Sequence, residues 1–131
     1  MTEQQDMQVS LNYNDVQNPF YLHLGESPSA ILATPPLNGN NYQSWSRAMR
    51  RALSSKNKFK FVNGSISALN PLSHKYDVWE RCNNMVVSWI TRSVIQSIAQ
   101  SIVYIDNAQE LRTDLNERFS KGDYFRLSDL L

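Results

Sequence analysis

A nucleophile or a metal site in this chain would have to be assembled from very few residues. Cys82 is the only cysteine, and His23 and His74 are the only histidines. A single cysteine excludes an intrachain disulfide and a cysteine-based zinc cluster. The two histidines lie too far apart in sequence to form a metal-ligand spacing. A Cys82/His74 dyad can be drawn on paper. Cys82, however, falls on an apolar helical stripe between Trp79 and Trp89, where a thiol is desolvated and poorly ionised. It reads as a structural cysteine. No aspartate is followed by Thr or Ser and then Gly, as an aspartic protease loop requires. The four glycines are isolated, so no glycine-rich phosphate loop is present. The expectation is a non-enzymatic chain with no catalytic residue, no metal and no cofactor.

What chemistry is left is basic. From Ser44 to Lys60 the chain carries Arg47, Arg50, Arg51, Lys56, Lys58 and Lys60, with no Asp or Glu. Such a run suits a phosphate backbone or an assembly partner. The competing reading is the solvated wall of a helical domain, with snorkelling stems. The net charge is only +1, so a nucleic-acid contact would have to be local rather than a property of the whole chain. Stacking on bases needs exposed aromatic rings. Trp45, Trp79 and Trp89 instead occupy the apolar phase of their segments and read as core.

The elements that would position these residues follow from the punctuation. All five prolines and three of the four glycines precede Leu72, and neither type occurs from Leu72 to Lys121. Pro and Gly are the residues that most oppose helix interiors, so the second half reads as helical. Residues 1–17 are polar and aperiodic and read as a disordered tail. Residues 18–37 read as an extended arm, in which Ile31–Thr34 fits a short strand or a loop pinned on a core. Residues 38–131 form the helical domain.

Asn40 or Asn41 is placed to cap a first helix, whose apolar face is Tyr42, Trp45, Met49, Ala52 and Leu53. Phe59 and Phe61 alternate before Asn63-Gly64, which suggests a short β-hairpin. Ser73 is placed to cap the next helix, with Trp79, Cys82, Val86 and Trp89 as its stripe. The phase changes near Arg92-Ser93, and Val94, Ile95, Ile98 and Ile102 form a second stripe ending at Tyr104. Asp106 and Gln109 have capping-box spacing ahead of Ala108, Leu111, Leu115 and Phe119. Gly122 is expected to stop that last helix.

At 131 residues the chain is the size of one domain, and the pattern predicts an all-α bundle of four to five helices. No apolar run reaches the ~18 residues of a membrane helix. The first residues lack the basic and apolar regions of a signal peptide. A cytoplasmic protein with no membrane partner and no small-molecule substrate is expected.

Two stretches carry a family resemblance. "NPFYLHLGESPSAILATPPLNGNNYQSWSRAMRRALSSKNKFKFVNGSI" resembles the N-terminal Gag segment of copia-type LTR retrotransposons, most closely those of plants. "WERCNNMVVSWITRSVIQSIAQSIVYIDNAQELRTDLNERFS" is similar to the adjoining Gag polypeptide. The anchors run in order from about Asn18 to Lys121.

The resemblance implies a capsid-type helical fold and a structural role: self-association in virus-like particles, with RNA as a possible partner. It makes Leu37, Gly39, Asn41, Tyr42, Trp45 and Met49 a helix entry and core anchor. Trp79, Trp89, Ala108, Leu111, Leu115 and Phe119 then carry the helical half. Three places depart from the family pattern. Arg112 stands where relatives usually have tryptophan, so it must snorkel, pair with Asp106 or Glu110, or leave its helix poorly docked. Phe59-Lys60-Phe61 replaces a usual Leu-Gly-Phe, losing a permissive glycine. "GDYFRLSDLL" departs from the family's continuation and suggests a C-terminal truncation. The alternatives to an assembling domain are a nucleic-acid-binding module using the basic first helix and a non-functional truncated remnant.

Overall fold

The computed structural model describes residues 14–130; most of the expected tail lies outside them. Among the described residues there are four α-helices and a 3-10 turn: α1 (Tyr42–Ser55), the turn Phe59–Phe61, α2 (Tyr76–Arg92), α3 (Gln96–Ile102) and α4 (Ala108–Leu130). No strand forms among them. The all-α expectation is met, without the hairpin.

The helix α1 buries Tyr42, Trp45, Met49 and Leu53, the i, i+3, i+4 stripe that one face of a helix presents to a core. Asn41 occupies the cap position, but its side chain makes no cap bond. Its Oδ1 instead accepts from the Asn38 amide at 3.0 Å, and its Nδ2 donates to the Pro36 carbonyl at 3.0 Å. Asn41 therefore ties down the incoming turn, where Gly39 holds φ +94°.

The other end of α1 closes at Asn57, whose φ is 58°. Its amide donates to the Ser54 carbonyl at 3.0 Å, and that of Lys58 donates to the Leu53 carbonyl at 2.8 Å. This paired pattern around a left-handed residue satisfies the last carbonyls of a helix. The chain then turns through Phe59–Phe61 as a 3-10 segment rather than a strand. Gly64 has φ +90° but turns a loop, with no partner strand on either side. Lys60 keeps negative φ, so nothing there requires the family's glycine.

In α2, Trp79, Cys82, Val86, Trp89 and Ile90 are buried, together with Asn83. The helix starts at Tyr76, later than a cap at Ser73 would place it. The Ser73 hydroxyl accepts from the Lys75 amide at 3.2 Å within the preceding turn. The phase change expected at Arg92-Ser93 is a break between α2 and α3. There Leu37 pairs with Val94 in an isolated parallel bridge, pinning the arm. The arm also sends Phe20 and Ala33 into the core; Ile31–Thr34 is loop.

The helix α4 packs against both α1 and α2 through Ala108, Leu111 and Leu115, with Phe119 half-buried beside them. Its cap is Asn107 rather than Asp106: Asn107 Oδ1 accepts the Glu110 amide at 3.0 Å. The helix also runs through Gly122, because one glycine costs a helix only about 1 kcal/mol.

Candidate functional site

Cys82 is fully buried. Its Sγ lies 3.4 Å from the Phe20 carbonyl, and burial pushes the thiol up to about 11. At neutral pH it is protonated and enclosed. His23 is exposed and meets Tyr21 edge-on at 4.8 Å; His74 is exposed elsewhere. Among the described residues, no group of three His, Cys, Asp or Glu side chains could hold a metal.

The tryptophans face inward, as their spacing implies. Trp89 is 0% exposed and donates its indole N–H to the Ser27 carbonyl at 2.8 Å. Trp45 donates to the Ser93 carbonyl at 2.7 Å. These bonds tether the arm and the α2–α3 break to the core.

The basic run does not act as one patch. Lys58 is 2% exposed and donates its ammonium to the carbonyls of Tyr21 and Lys56. Burial pulls its pKa below the usual lysine value, since desolvation penalises the charged form. Lys56 pairs with Glu26 at 3.0 Å and sits 5.1 Å from the centre of the Trp89 ring. Both lysines hold the arm against the body. What reaches solvent is Arg47, Arg50, Arg51 and Lys60.

Arg112 joins them from α4. It is exposed, and its guanidinium lies 5.4 Å from the Phe59 ring centre, with Arg50 at 5.1 Å from the same ring. Of the three outcomes open to Arg112, the structure takes the first: the charge stays wet over an aromatic ring and α4 docks fully. Arg47, Arg50 and Arg112 line a cleft of about 210 Å³ between α1 and α4, floored by Trp45, Met49, Leu53 and Leu115, with no carboxylate in its wall. In the sequence Arg112 stands out only as a departure from the family pattern, and nothing there marks it as a wall of this cleft.

A second concavity, of about 540 Å³, has the opposite character. Glu80, Asp106 and Glu110 line it with Trp79 and Tyr104, and no Lys or Arg does. No helix among the described residues is long and apolar enough to cross a membrane.

A family model described as the Gag-polypeptide of LTR copia-type matches residues 23–68. That span holds the end of the arm, Leu37, Gly39, all of α1 and the 3-10 turn. No curated protein and no solved structure matches the chain. Residues 23–68, the stretch similar to that family, enter the core through Leu37, Tyr42, Trp45 and Met49.

Proposed function

We propose that this chain is a structural, non-catalytic Gag-like module that works in the cytoplasm by protein–protein association, as a building unit of a retrotransposon particle. The observation that carries this reading is how the Gag region is spent. Leu37, Tyr42, Trp45 and Met49 go into the core, while the reactive side chains are either enclosed, like Cys82, or scattered, like His23 and His74. The exposed surface is left for contacts with other molecules.

The test is direct. Purified chain is followed by light scattering across a concentration series, and the largest species are viewed by negative-stain microscopy. Concentration-dependent growth into oligomers or particles is expected. A strictly monomeric chain at all accessible concentrations contradicts the proposal and favours the remnant alternative.

One observation supports a second reading. Arg47, Arg50 and Arg51 are exposed on a helix without a single acid, which suits a phosphate backbone. RNA affinity that falls steeply with salt, and is lost when the three become Gln, is the expected signature. Binding that is absent or indifferent to salt removes it.

A further inference from the structure

We infer that the copies associate head to tail, the arginine cleft of one chain seating against the acidic groove of a second. This rests on the proposed self-association and names its surfaces. Two faces of opposite sign are built into the fold. The chain has no carboxylate between Glu26 and Asp77, and the guanidinium groups of Arg47, Arg51 and Arg112 have no acidic partner among the described residues. The groove lined by Glu80, Asp106 and Glu110 contains no cation.

The two faces are held apart by α4. Glu110 lines the groove and Arg112 lines the cleft, and residues two apart on a helix point about 200° from one another. One molecule therefore cannot neutralise itself through these faces, whereas a second copy can. Like-with-like pairing across a two-fold axis would oppose arginine to arginine or acid to acid. The complementary arrangement joins different faces of the two copies, the heterologous type of contact that builds rings or extended arrays.

Charge alone sets orientation more than affinity, and each face also carries apolar area. The acidic groove is rimmed by Tyr104, 74% exposed, with Val103 next to it and Leu72, 92% exposed, following the Pro71 that lines the groove. Exposed apolar side chains beside a charged rim are the composition of a contact surface. At the bottom of the same groove lies Trp79, 6% exposed, whose indole N–H finds no acceptor among the described residues. Across from it, the cleft offers an apolar floor beneath its arginines.

Two variants of the full chain test this, each with one face disabled: Arg47→Ser/Arg112→Ser and Tyr104→Ser/Glu110→Ser. All four positions are exposed, and circular dichroism melts check that both variants fold. Sedimentation velocity is then run on the parent, on each variant and on their equimolar mixture. The expected result is that the parent associates, each variant is monomeric, and the mixture forms a 1:1 dimer that grows no further. In that dimer the intact cleft of one variant meets the intact groove of the other. The parent association should also weaken at least tenfold between low and high salt. Parent association that persists in either variant alone overturns the head-to-tail contact while leaving self-association standing. A parent that never associates overturns both.

Discussion

The indole N–H of Trp45, on α1, donates to the backbone carbonyl of Ser93 at 2.7 Å, across the break between α2 and α3. The same carbonyl accepts the Leu37 amide at 3.0 Å. The Ser93 hydroxyl donates to the Trp89 carbonyl and accepts from the amides of Leu32 and Ala33. Arm, first helix and helix break thus converge on one buried serine. A buried polar group that keeps its partners adds modestly to stability, whereas one stripped of them costs its full desolvation.

Trp45→Phe is therefore expected to destabilise the fold by about 2–3 kcal/mol, from the lost hydrogen bond and lost volume together. Ser93→Ala should cost about 1–2 kcal/mol by orphaning two arm amides. Urea unfolding midpoints followed by fluorescence check both. A neutral Ser93→Ala would mean that the arm is held by its apolar contacts alone.

Much of this fold was legible because apolar spacing is a direct record of which face is buried. Tyr42, Trp45, Met49, Trp79, Val86, Trp89, Leu111 and Leu115 all sit where their periodicity puts them. Polar residues inside the core leave no such record. Asn83 looks like any helix-surface amide in the sequence. In the fold it bridges α2 to the start of α4, donating to the Asp106 carbonyl at 2.7 Å and accepting the Ala108 amide at 2.9 Å. Lys58 was illegible for a related reason. Its direction depends on the left-handed turn at Asn57, which reverses the chain and aims the next side chain inward. The candidate surface was half legible: Arg47, Arg50 and Arg51 could be read from α1, but the approach of Arg112 from α4 is a tertiary fact.

Gly39 offers a test in which strain and crowding separate. Its φ of +94° is a conformation that side chains rarely adopt, yet a Cβ there would meet Phe119 only at 3.7 Å, an ordinary contact. The cost of Gly39→Ala should thus come from the backbone, about 1–2 kcal/mol. Gly25→Ala, with nothing within 4 Å, should change stability by less than about 0.5 kcal/mol. Thermal melts of the two variants beside the parent measure the difference. Equal effects would remove the backbone explanation.

Lys58 and Arg51 carry the same charge seven residues apart, and they should behave oppositely. Lys58→Ala removes a buried stem and leaves the Tyr21 carbonyl without that donor, so a loss of about 2–4 kcal/mol is expected. Arg51→Ala, at an exposed position, should fall within about 0.5 kcal/mol of the parent. If RNA binding is detected, the ranking inverts. Arg51→Ala should reduce the salt slope by about one counterion, while Lys58→Ala should leave it unchanged under conditions where the protein is folded. Denaturation curves paired with oligonucleotide titrations at several salt concentrations decide this. A large loss of affinity in folded Lys58→Ala would mean that the ammonium is reachable from outside.

Cys82 connects burial to pH. Its thiol titrates at about 11 in the folded chain against 9.0 for a free thiol, chiefly because burial disfavours the thiolate. Between those values the unfolded chain has released the proton and the folded chain still holds it. The folded state binds more protons there, so its stability falls as pH rises through that window. Other groups titrate nearby with the opposite sign, Lys58 among them, since its folded pKa is depressed. The measurable quantity is therefore the difference between the parent and Cys82→Ala. At pH 7 the parent is the more stable by the cost of the cavity. That advantage should shrink from pH 9 upward, by a total on the order of 2–3 kcal/mol once the window is crossed. A parallel thiol-labelling time course at pH 8 should show no reaction in native protein and prompt reaction above the urea midpoint. Rapid labelling of the native chain would place the sulfur at the surface, and the pH-dependent difference would then vanish as well.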